Sequence, residues 1–374
     1  MTQLRTVQVL GGGSAGSSAH VRSLAAGLVA RGVRVTVCAP VELDQDDDFH
    51  GAGASFVHVP RRSDPLALGA LRTACAGADV VHAHGLNAAV RAATALAGLP
   101  GPPERRAPLV VTWHIRSCAE GARAQWLRLM ERRAVRAAAV VLGTSAELVD
   151  LARRRGARDA RLGPVTLPAP GVPGARRDGD AGEAEAAGEK ARAELGVVER
   201  PLLVSVGALE PYRGYRTLLD ASRRWLGCEP VPLLAVVGDG RQREALQRRV
   251  DAEKLPVRLL GERDDAGTLL AAADVALLPS RWEARAPLAQ AALRQGVPLV
   301  ATAVGGVPEL VGDAAVLVPY GDAVALAGAV TGLLGDPVRR AALAEAGLRQ
   351  AGTWPSEEDT LAQVLSVYDE LCGR

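Results

Sequence analysis

Residues 277–311, LLPSRWEARAPLAQAALRQGVPLVATAVGGVPELV, are the stretch on which the fold of this chain turns. The apolar run ends at Pro279 and leads into a short loop holding one acidic residue, Glu283. Residues 288–295 then carry apolar side chains at helical spacing. Gly296 breaks that pattern, and 299–302 are apolar again before Gly305-Gly306-x-Pro-Glu309. Strand, helix and strand follow one another, and strands apolar on both faces indicate a parallel sheet covered by helices on both sides.

The alternation continues outward from this stretch. Residues 202–207, 233–238, 258–261, 275–279 and 315–318 read as further strands, with helical patterns at 217–225, 242–252, 266–273, 323–334 and 338–350. A last helix begins near Ser356, where Ser-Glu-Glu-Asp resembles a capping box. Upstream, 163–198 interrupts the rhythm with Pro164, Pro168, Pro170 and Pro173, then a polar Gly/Ala/Glu run, and reads as a linker ending in a short helix near 189–195. Before it the pattern recurs, with strands at 6–10, 34–39, 56–59, 80–83, 109–113 and 140–143. The expected architecture is therefore α/β, with two Rossmann-like parallel-sheet lobes. Ligands of such sheets sit at the carboxyl ends of the strands, so a cleft between facing lobes is the expected active site.

Composition narrows the function. A chain of 374 residues is comfortable for two domains, and 48% hydrophobic with 23% charged residues is ordinary globular composition. A net charge of +2 gives no field that would recruit nucleic acid. The cysteines (Cys38, Cys75, Cys118, Cys228, Cys372) are odd in number and scattered, which suggests neither a disulfide framework nor a zinc ribbon and fits a reducing cytoplasm. The opening residues do not read as a secretory signal, and no run of roughly 18 apolar residues would span a membrane.

The first lobe carries several polar features. Gly11, Gly13 and Gly16 form G-x-G-x-x-G between a strand and a helix, with Gly12 inside the turn. Glycines there let backbone approach a phosphate or sugar, although a tight packing turn uses them equally. Dinucleotide binding calls for an acid at the end of the second strand, where this chain has Ala39 and Pro40. His82 and His84 lie at a strand end in VVHAHG. An H-x-H pair needs further ligands to hold a metal, and none is apparent, so no metal site is expected. His114 closes PLVVTWH, where a histidine can bond a hydroxylated ligand or shuttle a proton, and where a satisfied strand-end histidine fits as well. Residues 123–136, from Arg123 to Arg136, are basic and amphipathic. They suit contact with an anionic membrane surface at the inner face, although an ordinary sheet-covering helix shows the same face and is the commoner case.

The order of these motifs resembles glycosyltransferase family 4, the retaining enzymes of GT-B fold. The resemblance runs over nearly the whole chain: the glycine loop with His20, DVVHAHG, TWH ending at His114, VSVGALEPYRG, LLAVVGDG and the block from Ser280 to Val311. It implies an acceptor lobe over 1–165, a linker over 166–198 and a nucleotide-sugar donor lobe over 199–351. It also implies a C-terminal helix in 352–374 that packs back on the first lobe. The donor would be a UDP- or GDP-sugar, the acceptor an unidentified hydroxyl, and no cofactor or metal would be required. Arg213 would stabilise the departing diphosphate and Glu283 would orient the donor sugar. His114 would contact the sugar or the acceptor hydroxyl. Gly207, Gly238, Gly240, Gly305, Gly306 and Glu309 would border the donor, and Gly11, Gly12, Gly13, Gly16 and His20 the acceptor and diphosphate.

Two positions depart from the family pattern. Its E-x7-E would place a second acid at 291, where this chain has Ala291. The neighbouring Gln290 is turned by about 100° on a helix. Its phosphate-gripping Arg falls at Ala208, while Arg213 replaces the usual Lys with a forked cation. Arg216 would compensate for Ala208 only if its helical turn faces the ligand. Three other readings therefore stay open: a degenerate GT-B protein acting as a binding or partner subunit, an oxidoreductase using the first-lobe glycines, and a sugar-phosphate synthase or phosphorylase.

Overall fold

The computed structural model describes residues 3–11, 15–60, 65–116, 119–163, 165, 181–197 and 199–373. Its contacts divide the chain into two units, Met1–Leu167 with Pro355–Arg374, and Pro168–Trp354. Each unit is described by itself.

The first unit runs β1 (Arg5–Leu10), α1 (Ala15–Ala30), β2 (Arg34–Ala39), α2 (Val41–Asp47), β3 (Ser55–His58), α3 (Pro65–Cys75), β4 (Val80–His84), α4 (Leu86–Ala97), β5 (Leu109–Trp113), α5 (Gly121–Ala137), β6 (Val140–Gly143), α6 (Ala146–Arg155) and β7 (Ala160–Leu162). All strands pair in parallel in the order β3-β2-β1-β4-β5-β6-β7. Strand order reverses at β1 and β4, the switch point where loops splay apart and leave room for a ligand. β7 is three residues of mixed polarity, too short for an apolar pattern to reveal it.

The second unit runs α7 (Ala181–Glu194), β8 (Leu202–Val206), α8 (Tyr215–Arg224), β9 (Leu233–Val237), α9 (Arg243–Glu253), β10 (Val257–Gly261), α10 (Ala266–Ala271), β11 (Val275–Leu278), α11 (Pro287–Arg294), β12 (Leu299–Thr302), α12 (Val307–Val311), β13 (Val316–Val318), α13 (Ala323–Leu334) and α14 (Pro337–Gly352). Its sheet is parallel, in the order β10-β9-β8-β11-β12-β13, with the reversal at β8 and β11. Apolar clusters cover both faces.

The boundaries correct the expected linker of 166–198. Residues 181–197 contain a helix longer than its few apolar residues suggested, and Ala191, Leu195 and Val197 are buried in the second core. Trp354 also belongs to this unit, its Nε1 donating to the Leu310 carbonyl (3.1 Å). The first unit therefore resumes at Pro355 rather than at 352.

The last helix, α15 (Glu357–Cys372), packs on α1 within the first unit. Ser356 caps it, accepting from the Asp359 N–H (3.0 Å) while the Asp359 carboxylate accepts from the Ser356 N–H (2.8 Å). Leu361, Val364, Val367 and Tyr368 are buried in the first core. Each such side chain contributes about 1.5–3 kcal/mol on burial, which outweighs a cap worth about 1 kcal/mol.

Candidate donor site and histidine cluster

At the second switch point, the loop after β11 holds Glu283 beneath three anchors. The Arg281 N–H donates to the Tyr212 carbonyl (2.8 Å), the Gly306 N–H donates to the Glu283 carbonyl (2.8 Å), and Thr302 Oγ1 donates to the Ser280 carbonyl (2.6 Å). Gly305 is required by this packing. Its φ is +56°, and a Cβ would overlap the Glu283 carbonyl and Trp282 Nε1. Gly214 is likewise forced, because a Cβ there would overlap the Pro279 carbonyl. Gly207 and Gly238 join the exits of β8 and β9, with the Gly207 N–H on the Val237 carbonyl (2.9 Å). The Tyr215 hydroxyl donates to the Gly207 carbonyl (3.0 Å), and burial pushes that phenol up to about 12. Gly240 follows, with its N–H on Asp239 Oδ1 (2.6 Å).

These anchors bring Arg213 and Glu283 into a direct ion pair, and Ser280 Oγ donates to the same carboxylate oxygen of Glu283 (2.8 Å). Burial pushes the Glu283 carboxyl above its ordinary value, against the opposing pull of Arg213 and Ser280. Burial also opposes the Arg213 charge, but Glu283, helped by the Tyr212 and Tyr215 phenols, holds the guanidinium above its ordinary value. Arg213 Nε is buried and meets no hydrogen-bond acceptor among the described residues. A fixed guanidinium with a donor to spare is suited to an anion.

The departures from the family pattern have distinct surroundings. Ala208 is exposed and Arg216 is exposed, whereas Ala291 lies in the apolar core. Gln290 is fully buried and its amide donates to the Arg285 carbonyl, so it tethers the Glu283 loop. Ala286 caps α11 in the left-handed region (φ +30°, ψ +81°), a strained position for a residue with a Cβ. Arg285, which the motif reading passed over, is buried in this loop. Burial lowers its guanidinium to about 10, with Glu309 opposing and Arg294 adding to the effect. Its position two residues after the acid of a carboxyl-end loop was the available signal. Glu309 is exposed in the first turn of α12.

In the first unit, four histidines gather at the carboxyl ends of β4 and β5 and on α1. Ring centroids of His20 lie 5.7 Å from both His84 and His114, while His84 lies 4.3 Å from His82 and 5.9 Å from His114. All four are held below their ordinary value, chiefly by burial: His82 to about 3 and His114 to about 4. They are therefore neutral near pH 7. His114 Nε2 is buried and meets no partner among the described residues. No group of three or more metal-binding side chains with suitable geometry occurs among the described residues. Gly11 packs against the start of α4, where a Cβ would crowd the Ala88 N–H and Asn87. Gly12 and Gly13 lie outside the described residues, and Gly16 stands in the first turn of α1.

Two family models match this chain: "Glycosyl transferase 4-like domain" over residues 15–168 and "Glycosyl transferases group 1" over residues 200–336. The chain belongs to the GT-B glycosyltransferases. It is 32% identical over 184 residues to the 2-deoxystreptamine N-acetyl-D-glucosaminyltransferase of Streptomyces fradiae, covering 47% of this chain and 43% of that protein. It is 30% identical over 246 residues to the D-inositol 3-phosphate glycosyltransferase of Corynebacterium urealyticum, covering 62% of this chain and 56% of the relative. The matches thus span about half the length of these relatives. Among solved structures, Anabaena HepE in complex with UDP and glucose superposes with a TM-score of 0.80 at 19% identity, over 98% of this chain and 100% of the other.

The first unit also carries an exposed surface of apolar and basic side chains. On α5, Trp126 and Leu129 are 58% and 55% exposed, and Ile115 just before the helix is 55% exposed. Arg123, Arg128, Arg132, Arg133 and Arg136 are exposed around them. The helix's one acid, Glu131, is buried and paired with Arg155 (2.8 Å). No described helix is long and apolar enough to cross a membrane.

Proposed function

We propose that this protein transfers a sugar from a UDP- or GDP-sugar to a hydroxyl of a small acceptor, with retention of the anomeric configuration. The Arg213–Glu283 pair, anchored at the switch point of the second sheet, carries the reading. As the donor's glycosidic bond to phosphate breaks, negative charge grows on the diphosphate. Arg213 stabilises that charge, and Glu283 and the loop N–H groups orient the sugar. Arg213 and the backbone supply the positive potential that a metal ion would otherwise provide. In the first unit, neutral His114 accepts or donates a hydrogen bond to a sugar or acceptor hydroxyl. HepE, solved with UDP and glucose, supports the donor class. Relatives named for 2-deoxystreptamine and D-inositol 3-phosphate make a ring polyol the first acceptor class to test.

The test combines thermal unfolding with product analysis. UDP-glucose, UDP-N-acetylglucosamine and GDP-mannose are screened for a rise in Tm, since a ligand of the folded state stabilises it by mass action. The stabilising donor is then incubated with each ring polyol, and the linkage formed is read by NMR. Retention requires the product to keep the donor's anomeric configuration. Absence of stabilisation by every donor at millimolar concentration, together with absence of product, would refute the reading. The exposed Ala208 and buried Ala291 favour a second reading, a donor-binding subunit without turnover. It predicts a rise in Tm with no release of nucleoside diphosphate.

A further inference from the structure

Beside His114, a chain of buried side chains runs through the first unit, its proton order set by the orientation of the Gln8 amide. Gln8 on β1 is fully buried, and its Nε2 donates to the Tyr368 hydroxyl on α15 (3.0 Å). That hydroxyl, already accepting from Gln8, has its own proton to give to His82 Nδ1 (2.7 Å). A neutral His82 then carries its proton on Nε2, which donates to Thr112 Oγ1 (2.6 Å). At the other end, Gln8 Oε1 can only accept, so His84 Nε2, 3.0 Å away, must donate to it. His84 is then protonated on Nε2 and bare on Nδ1. That Nδ1 is buried and meets no partner among the described residues, though the residue is only 5% exposed. A buried acceptor without a donor is rare in folded proteins, and an O–H brought by water or by a ligand would satisfy it.

We propose that Gln8 and Tyr368 are positioning residues that lock His84 in the Nε2–H form, so that its Nδ1 receives the hydrogen bond of a substrate hydroxyl. The inference rests on reading the first unit as the acceptor side. Burial and the three neighbouring histidines keep the His84 ring neutral, as such an acceptor requires. The chain has only two self-consistent proton orders. Turning the Gln8 amide over would reverse every bond in it, and would move the His84 proton to Nδ1. Tyr368 therefore ties the C-terminal helix to the tautomer of a histidine on β4.

Long-range 1H–15N spectra of the histidine rings test this in the full-length protein at pH 7. The wild type is expected to show His84 protonated at Nε2 and unprotonated at Nδ1, with His82 in the same form. Tyr368→Phe and Gln8→Met each break the chain and should replace the single His84 tautomer by an average of two. With UDP-glucose present, titration with myo-inositol should move the wild-type His84 Nδ1 resonance upfield and leave that of Gln8→Met unmoved. The proposal is overturned by a wild-type His84 protonated at Nδ1, by an unchanged tautomer in both variants, or by a Nδ1 resonance indifferent to the polyol. Sugar transfer without the lock would sink this inference alone. A lock in a protein that binds no nucleotide sugar would sink the transferase reading and leave the lock standing.

Discussion

Replacing Arg213 with Ala separates the site's electrostatics from its packing. The pair is mostly buried, with side-chain exposures of 23% for Arg213 and 10% for Glu283, so removing one partner leaves a charge without compensation. Breaking such a pair costs about 3–5 kcal/mol, and Glu283 has a cheaper escape, which is to take up a proton. Protonating a carboxyl of ordinary pKa near 4.3 costs about 1.36 kcal/mol per pH unit, hence about 4 kcal/mol at pH 7.5 and about 1 kcal/mol at pH 5. In wild type, burial already raises the Glu283 carboxyl while Arg213 pulls it down. Without Arg213 the folded value rises further. The folded variant then binds a proton more readily than the unfolded chain does, so its stability recovers as pH falls through that raised value. Urea unfolding should show a deficit relative to wild type of about 3 kcal/mol at pH 7.5, shrinking to about 1 kcal/mol at pH 5. The Tm rise produced by UDP should also weaken, because a charge-assisted bond to phosphate is worth about 1.5–3 kcal/mol, or roughly 10- to 150-fold in affinity. A deficit that is constant or grows on acidification, with UDP binding intact, would refute both the burial argument and the phosphate role.

Three further outcomes follow from other parts of the structure. Ala286→Gly relieves a left-handed residue at the start of α11 and should stabilise the protein by about 1 kcal/mol in chemical denaturation. The buried histidines are depressed in the folded state, so the unfolded chain takes up protons that the folded chain refuses as pH falls below 6.5. His82, held to about 3, accounts for about 2 kcal/mol of lost stability between pH 6.5 and 5. Unfolding curves that coincide at pH 7.5 and 5 would show that these rings protonate in place. If α5 rests on an anionic bilayer, changing Arg128, Arg132 and Arg136 to Gln should weaken sedimentation with phosphatidylserine vesicles about a hundredfold, at about 1 kcal/mol per Arg. Binding that is insensitive to these changes and to Trp126→Ser would assign the exposed face no membrane role.

The two-sheet plan was legible because it is written in short-range pattern: apolar runs such as 109–113 and 299–302 are continuous, and helices of ordinary spacing separate them. Features that depend on a few long-range contacts were not legible. β7 has three residues and acquires strand geometry by pairing with β6. Among the described residues, Ala191 in α7 and Leu195 and Val197 just after it reach the core, a pattern sparse enough for the segment to pass as linker until α10 is beside it. In the candidate site, Glu283 and Arg213 stood out because motif order marked them. Gln8 and Tyr368 did not, since they are 360 residues apart and meet only when α15 packs on the first sheet. Gln290 shows the limit of reading by position. Its sequence position marked it only as the neighbour of 291, turned about 100° away, and gave no sign that its buried amide reaches the Arg285 carbonyl.

The arrangement around Arg213 bears on how a donor would enter. In the proposed site, the cation meant for the diphosphate is already occupied by the acid meant for the sugar. Donor binding is then an exchange: phosphate oxygens take over the guanidinium, and Glu283 keeps Ser280 and gains sugar hydroxyls as partners. Such an exchange costs the pair's own interaction energy, which a site with a second arginine at 208 would offset and this one does not. Glu283→Gln should therefore release Arg213 and tighten UDP, which has no sugar to orient, while weakening UDP-glucose relative to UDP. Calorimetry with the two ligands measures the ratio directly. A Gln variant that binds UDP more weakly than wild type would show that Glu283 holds Arg213 in place for the phosphate and does not compete with it.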